Sequence, residues 1–140
     1  MGQDQGPEGE PNGTTAQANS LFGSDVYRRG TLASNIDSDY YRITVPEGKS
    51  VRAETSSPAT TVCLAGDVDT RLELRTAAVG LIVGDDDDGS AECSLIDGTG
   101  SSPRDPAAAT LSAGTYYLRV SFDPDGAANN AAYAVFVTIR

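Results

Sequence analysis

Apolar and polar residues alternate along much of this chain, and this period of two restricts the fold more than any other feature. In the stretch 111–122, four apolar or aromatic side chains fall on one face: Tyr116, Leu118, Val120 and Phe122. Successive side chains of a strand point to opposite faces, so the pattern predicts a strand with one buried face. A second alternating stretch, 133–139, follows a turn at 123–126. The two stretches are predicted to pair as an antiparallel hairpin.

Similar short stretches occur along the whole chain, separated by turn residues. One of them, 39–45, is predicted to form a hairpin with 50–55 and to turn three side chains inward: Tyr41, Ile43 and Val45. No window of ten or more residues has the apolar period of a helix. We predict an all-β fold of eight or nine strands in two packed antiparallel sheets. Residues 1–20 are predicted to be an acidic linker, and residues 21–140 a single β-sandwich domain.

The chain has 20 acidic and 10 basic residues, which gives a formal net charge of −10. Such a charge should repel nucleic acid and anionic membranes and attract cations, although it also keeps an exported protein soluble. No apolar run is long enough to cross a bilayer, so no membrane insertion is expected. Residues 1–6 do not form a signal peptide, and we expect the export signal to lie elsewhere.

Two cysteines, Cys63 and Cys93, and a single lysine are typical of an exported, oxidised protein. We predict a disulfide between them and a secreted localisation; two buried free thiols are the alternative. The bond would close a loop of about 30 residues and stabilise the fold by about 3–4 kcal/mol in the chain-entropy model. The two cysteines lie in predicted short strands around 62–64 and at 92–96.

The chain contains no histidine. A Ser-His-Asp or Cys-His catalytic site and a zinc site with histidine ligands are therefore excluded, and two cysteines are too few for a zinc site of thiolates alone. Glycosidase chemistry by two carboxylates remains compatible with so acidic a sequence, but no motif places two acids in one pocket. We predict that the chain is not an enzyme.

Seven groups of residues, in this order and spacing, resemble the bacterial pre-peptidase C-terminal domain family: 10–12 with 16–19, 30–32, 37–43, 45–48, 69–74, 86–89 and 111–120. Members of that family are β-sandwich, jelly-roll-like modules attached to secreted peptidases and other exported hydrolases. The collagen-binding domains of bacterial collagenases are similar and bind calcium through an acidic N-terminal linker. The resemblance therefore implies a jelly-roll-like sandwich and a calcium site near the N-terminus.

Five side chains with oxygen ligands are predicted to form that calcium site. In an extended segment, Glu8, Glu10 and Asn12 point to the same side, and they match the acidic-Asn pattern of the collagenase linkers. Asp37 and Asp39, again two residues apart, match the acids that open the following strand in the family. If the segment folds back over this strand, the two edges supply the hard oxygens that Ca²⁺ requires. A disordered acidic tail beside a polar turn is the alternative.

Four consecutive aspartates form a second, weaker candidate for a metal site: Asp85, Asp86, Asp87 and Asp88. Like charges at this density repel one another unless a cation or an arginine neutralises them. The run is not an EF-hand, because Gly84 and Leu95 stand at the first and twelfth positions, where acids are required. A solvated loop tip is the alternative.

Two tyrosines and two arginines are candidates for ligand binding: Tyr40, Arg42, Tyr117 and Arg119. They lie on the strand faces opposite the apolar ones, and Tyr27 is a further candidate. Exposed tyrosine beside arginine is suited to hold an extended protein or polysaccharide chain. The alternative is that both faces of the sheet are covered and that these are packing residues.

The residues and the resemblance together predict a non-catalytic, secreted, calcium-binding accessory domain of an extracellular peptidase or other hydrolase. Its predicted role is attachment to a protein or polysaccharide substrate or matrix, or stabilisation of the parent protein, whose catalytic domain is its partner in cis. A structural or adhesive β-sandwich module of a bacterial surface protein or filament is the alternative, and a free-standing hydrolase is a third hypothesis.

Overall fold

The computed structural model describes residues 2–58, 63, 68–89, 92–123 and 131–140, and its regular structure is almost entirely β. Its elements are two short 3-10 helices, Thr15–Gln17 and Pro106–Ala108, and ten strands: β1 (Gln3–Pro7), β2 (Asn19–Ser20), β3 (Asp25–Leu32), β4 (Ser38–Val45), β5 (Val51–Ser56), β6 (Thr70–Thr76), β7 (Leu81–Asp85), β8 (Leu95–Asp97), β9 (Gly114–Phe122) and β10 (Ala131–Ile139).

The strands form two five-stranded sheets around one hydrophobic core. The first sheet has the order β1-β3-β10-β5-β8, and the second sheet has the order β2-β4-β9-β6-β7. This arrangement confirms the predicted all-β sandwich. The structure has ten strands rather than eight or nine, because the N-terminal segment adds a short edge strand to each sheet; β1 and β2 pair in parallel with β3 and β4.

The alternation of the sequence decides which side chains enter the core. In β4, the inward Tyr41, Ile43 and Val45 are at most 1% exposed, whereas Arg42 and Thr44 are exposed to solvent. β9 has the same pattern, with Leu118 and Val120 fully buried. Burying one such aliphatic side chain contributes roughly 1.5–3 kcal/mol, so a register slip of one residue, which turns the apolar face outwards, is strongly disfavoured.

The two predicted hairpins are wrong. β9 pairs with β4 and β6 in the second sheet, whereas β10 pairs with β3 and β5 in the first sheet. β4 and β5, predicted as the other hairpin, are likewise divided between the two sheets. Alternation specifies that one face of each strand is buried, and a connection that crosses the sandwich satisfies this as well as a hairpin does. Residues 124–130, which include most of the predicted turn, lie outside the described residues.

The predicted disulfide is present. Cys63 and Cys93 are both buried and bonded, with their Cα atoms 5.9 Å apart. Cys93 lies two residues before β8 and not inside a strand, although the sequence predicts a strand over 92–96; the bond ties this edge of the first sheet to the connection between β5 and β6. The short strand predicted around 62–64 lies, apart from Cys63 itself, outside the described residues.

Candidate metal centre

The N-terminal segment folds back over the start of β4, which is the arrangement that the calcium hypothesis requires. Just after β1, the Glu8 amide donates to the Arg29 carbonyl at 2.8 Å. Four residues further on, the Asn12 carbonyl accepts a hydrogen bond from the Tyr40 amide of β4 at 2.9 Å. Main-chain hydrogen bonds therefore attach the segment to both sheets, and Asn12 becomes completely buried.

Three of the five predicted ligands converge at this point. One carboxylate oxygen from each of Glu8, Glu10 and Asp39 lies within 4.8 Å of the other two. Asn12 joins them, because its side-chain amide donates to Glu8 Oε2 at 2.9 Å and its main-chain amide donates to Glu10 Oε2 at 3.1 Å. The spacing of two residues places these side chains on one side of the segment, as predicted.

Two buried oxygens in this group accept no hydrogen bond from the described residues. They are Asn12 Oδ1 and Asp39 Oδ1, and both residues are 0% exposed. A buried acceptor without a donor is uncommon and costs roughly 1–3 kcal/mol. These two oxygens, beside the carboxylates of Glu8 and Glu10, form a set of hard oxygen ligands of the kind that Ca²⁺ prefers.

Two buried tyrosines connect the carboxylates to one another. The Tyr133 hydroxyl lies 2.6 Å from Asp39 Oδ2, the Tyr41 and Tyr133 hydroxyls lie 2.6 Å apart, and the Tyr41 hydroxyl lies 3.1 Å from Glu8 Oε2. Both phenols keep their protons, since burial raises the pKa of each above its usual value. The chain of four oxygens holds the carboxylates of Glu8 and Asp39 in fixed positions.

Two of these hydrogen bonds have a defined direction: the Tyr133 hydroxyl donates to Asp39 Oδ2, and the Tyr41 hydroxyl donates to Glu8 Oε2. Burial raises the pKa of Asp39 to about 8, against the hydrogen bond with Tyr133, and the negative charges of Glu8 and Asp37 raise it further. Burial and the charge of Glu8 also raise the pKa of Glu10. A metal ion at these oxygens would favour the ionised form of the Asp39 carboxyl, because a coordinating carboxylate is ionised.

Asp37 lies beside this group, but its oxygens are used in a turn. Its Oδ2 accepts a hydrogen bond from the Ala33 amide at 2.7 Å, and its Oδ1 accepts one from the Ser38 amide at 2.9 Å. Its charge nevertheless raises the pKa values of Asp39 and Glu10. Asp37 therefore contributes negative potential to the site, and its predicted role as a direct ligand stays a prediction.

Sequence reasoning did not identify Tyr41, Tyr133 and Gly30 as part of the site. The tyrosines were assigned to the core by their inward positions, although a buried phenol needs a hydrogen-bond partner. Gly30 lies against both hydroxyls, and a Cβ atom at this position would collide with them. A glycine inside the alternating pattern of β3 was the one available signal of this close approach.

The four predicted ligand-binding residues all lie on the outer face of the second sheet. In the register of β4 with β9, Tyr40 is opposite Arg119 and Arg42 is opposite Tyr117, so tyrosine and arginine alternate in both directions. The rings of Tyr40 and Tyr117 are half-buried. Tyr27 lies elsewhere, on the first sheet, where its ring stacks on Phe136 at a centroid distance of 5.0 Å.

A family model described as the bacterial pre-peptidase C-terminal domain matches residues 37–121, which span β4 to β9. The chain belongs to this family. Domains of the family are accessory modules attached to secreted peptidases, and this assignment confirms the resemblance seen in the sequence.

Solved structures with the same fold include the pre-peptidase C-terminal domain of a collagenase from Bacillus anthracis. It is 13% identical, covers 95% of this chain and 100% of its own, and has a TM-score of 0.57. Two periplasmic inhibitors of g-type lysozyme are also similar. The protein from Aeromonas hydrophila is 12% identical over 99% of this chain and 98% of its own, with a TM-score of 0.56. The protein from Salmonella Typhimurium is 18% identical over 88% and 97%, with a TM-score of 0.54.

No significant match to a curated protein was found. Within the described part of the domain, no helix has the length and apolar character needed to cross a membrane.

Three of the four consecutive aspartates have different partners in the described residues. Asp85 closes a turn by accepting hydrogen bonds from the amides of Asp88 and Leu95, and Asp88 forms an ion pair with Arg104 at 3.0 Å. Asp87 instead lies within 4.8 Å of two acids that the sequence did not indicate: Asp69 and Asp123. Burial raises the pKa of Asp69 to about 6, helped by the surrounding negative charges. The run as a single metal site remains a prediction without geometric support.

In a chelator, the free energy of unfolding should decrease as the pH rises from 6 to 8. Unfolded Asp39 ionises near its usual pKa of 3.8, whereas the native residue ionises near 8. The native chain therefore binds more protons in this interval, and its stability falls by up to about 1.4 kcal/mol per pH unit. Asp69 and Asp85, with pKa values raised to about 6, contribute to the pH dependence of stability mainly below pH 6. Urea unfolding in EDTA at pH 6, 7 and 8 measures the slope.

Asp39→Asn is the control for this experiment. Asparagine does not titrate, so the slope between pH 6 and 8 should flatten, and saturating calcium should flatten it in the wild type because the metal takes the place of the proton. An unchanged slope in Asp39→Asn would assign the pH dependence to another group.

Proposed function

We propose that this domain is a non-catalytic, calcium-binding accessory module of an exported peptidase or other hydrolase, located outside the cytoplasm. Calcium fixes its N-terminal segment onto the β-sandwich. The observation that carries the proposal is the pair of buried acceptor oxygens, Asn12 Oδ1 and Asp39 Oδ1, beside the carboxylates of Glu8 and Glu10.

The N-terminal segment needs such a cation for electrostatic reasons. Glu8, Glu10 and Asp39 bring up to three negative charges together, and Asp37 adds a fourth nearby. No lysine or arginine forms an ion pair with any of these four within the described residues. A divalent cation removes the repulsion and supplies the attraction that orders the segment.

The second part of the proposal concerns attachment. The face that carries Tyr40, Arg42, Tyr117 and Arg119 would hold the parent enzyme on its protein or polysaccharide substrate. Flat rings beside planar guanidinium groups are the residue types enriched in such interfaces. Attachment to a substrate requires no catalytic group, which agrees with the absence of histidine from the chain.

Isothermal titration of the chelated domain with calcium chloride tests the metal centre. We expect a saturable site that Asn12→Ala weakens at least tenfold, because this change removes one of the two unpaired acceptors. Asn35→Ala is the matched control, since Asn35 is exposed in the turn before β4. No calcium binding by the wild type, or equal affinity in Asn12→Ala, would contradict the proposal.

A further inference from the structure

Positive charge is concentrated on one face of this acidic domain. The outward positions of β4, β9 and β6 carry four arginines and one glutamate: Arg42, Arg119, Arg71, Arg75 and Glu73. Formally this face carries +3, so the remainder of a chain with a net charge of −10 carries −13. Four of the ten basic residues thus share one sheet face, and simple solubility does not require such a segregation.

The arginines are arranged in rows across the three strands. Ser38, Ser121 and Arg71 form one row. The next rows are Tyr40–Arg119–Glu73 and Arg42–Tyr117–Arg75. Successive rows are two residues apart along each strand, which corresponds to about 6.8 Å. Every row therefore offers at least one guanidinium group at a regular spacing.

The single acid on this face is already used by the arginines beside it. Glu73 is 4% exposed and accepts hydrogen bonds from Arg119 at 2.9 Å and Arg75 at 3.0 Å. These two arginines lower its pKa, although burial alone would raise it. Arg71 forms two looser ion pairs. Its Nε lies 3.7 Å from Glu73 Oε2 and its Nη1 lies 4.0 Å from Asp86 Oδ2, and both distances exceed hydrogen-bond length. One carboxylate cannot neutralise three guanidinium groups, so Arg71 retains donors for a partner.

A cavity of about 320 Å³ lies at the row that contains Arg71. Its lining includes Arg71, Arg119, Ser38 and Ser121, with Ile36 at its rim. Asp37 also lines it and keeps its negative charge, which the main-chain amides of Ala33 and Ser38 partly compensate by donating to its two oxygens. Ile36 is 88% exposed. Guanidinium and hydroxyl donors beside an exposed aliphatic side chain suit a carboxylate side chain next to an apolar one.

We propose that this face binds an extended acidic polypeptide segment, with a carboxylate in the Arg71 cavity and further acids over Arg42 and Arg75. The inference rests on the attachment role proposed above and specifies its ligand. A peptide in β conformation repeats same-side residues at about 6.8 Å, which equals the spacing of the arginine rows. The rings of Tyr40 and Tyr117 lie between the arginines and supply apolar contacts to the same segment.

Fluorescence anisotropy with a labelled twelve-residue peptide of alternating Glu and Thr tests the proposal. The wild type should bind this peptide, and binding should weaken as NaCl is raised from 50 to 300 mM. Arg71→Gln and Arg42→Gln should each weaken binding about tenfold, since each loses a charge-assisted hydrogen bond. Arg104→Gln removes an exposed arginine outside this face and should leave binding unchanged. Melting curves verify that each variant is folded.

The absence of wild-type binding at millimolar peptide would overturn the inference. Equal affinity in Arg71→Gln and Arg104→Gln, or equal binding of a Lys-Thr peptide, would do the same. An oligogalacturonate of matched charge that binds more tightly than the peptide would also overturn it, in favour of an acidic polysaccharide.

The failure of this inference can be distinguished from the failure of the proposed function. Retention on insoluble protein and polysaccharide fibres is measured for the wild type, Tyr40→Ala, Tyr117→Ala and Arg71→Gln. If these variants lose retention while Arg71→Gln keeps it, attachment stands and the acidic ligand is wrong. If no fibre retains the wild type but the acidic peptide binds, the attachment role fails and the acidic site stands.

Discussion

Removing calcium should lower the melting temperature of the domain by about 10 °C, relative to calcium at one hundred times its Kd. Ligand linkage contributes about 2.7 kcal/mol under these conditions, and each 1 kcal/mol corresponds to about 4 °C in a chain of this size. Glu10→Ala and Asp39→Ala should each abolish the shift, because they remove a carboxylate from different sides of the site. Melting curves in EDTA, calcium and magnesium measure the effect. Magnesium should substitute poorly, since it demands a tighter octahedral geometry.

The same treatment should change the protease sensitivity of one segment only. In EDTA, cleavage is expected near Gly9 or Gly13, whereas the β-core should survive, because the core is held by buried apolar side chains. Asp25→Ala is the matched control, since it removes an exposed acid at the far end of β3 and should keep the full calcium shift. Identical melting temperatures in EDTA, calcium and magnesium, with equal protease cleavage of the N-terminal segment, would contradict the calcium site. The segment would then be better described as an acidic tail.

Replacing both cysteines, Cys63→Ala with Cys93→Ala, should destabilise the domain by about 3–4 kcal/mol. The native bond closes a loop with a sequence separation of 30, and its loss restores the conformational entropy of that loop to the unfolded chain. Urea unfolding in the absence and presence of reductant measures the difference. The double variant should be insensitive to reductant, and the wild type with reductant should approach its stability.

Intact mass and alkylation provide the independent readout. The native, air-exposed wild type should show no alkylatable thiol before reduction and two after it. Two reactive thiols before reduction would contradict the bond, and an unchanged midpoint in the double variant would contradict its contribution to stability. Calcium binding should persist in the double variant, because among the described residues no cysteine belongs to the cluster of Glu8, Glu10 and Asp39.

The sequence by itself determined the features that depend on local periodicity. A period of two specified the all-β class, the inward face of β4 and the outward position of the pairs Tyr40–Arg42 and Tyr117–Arg119. The same period placed Glu8, Glu10 and Asn12 on one side of the segment. The presence of only two cysteines left a single intramolecular pairing, Cys63 with Cys93.

The tertiary structure decided which strands and side chains became neighbours. Alternation states that a strand buries one face, but it does not state in which sheet, so β9 and β10 were wrongly paired as a hairpin. The hydrogen-bonded chain through Tyr41 and Tyr133 joins residues 92 positions apart. Asp69, Asp87 and Asp123 meet from three different connections between strands. Likewise, Arg71 and Arg75 join Arg119 only because β6 pairs with β9. Such contacts follow from strand order and register, which are set by the packing of the whole core rather than by any local pattern.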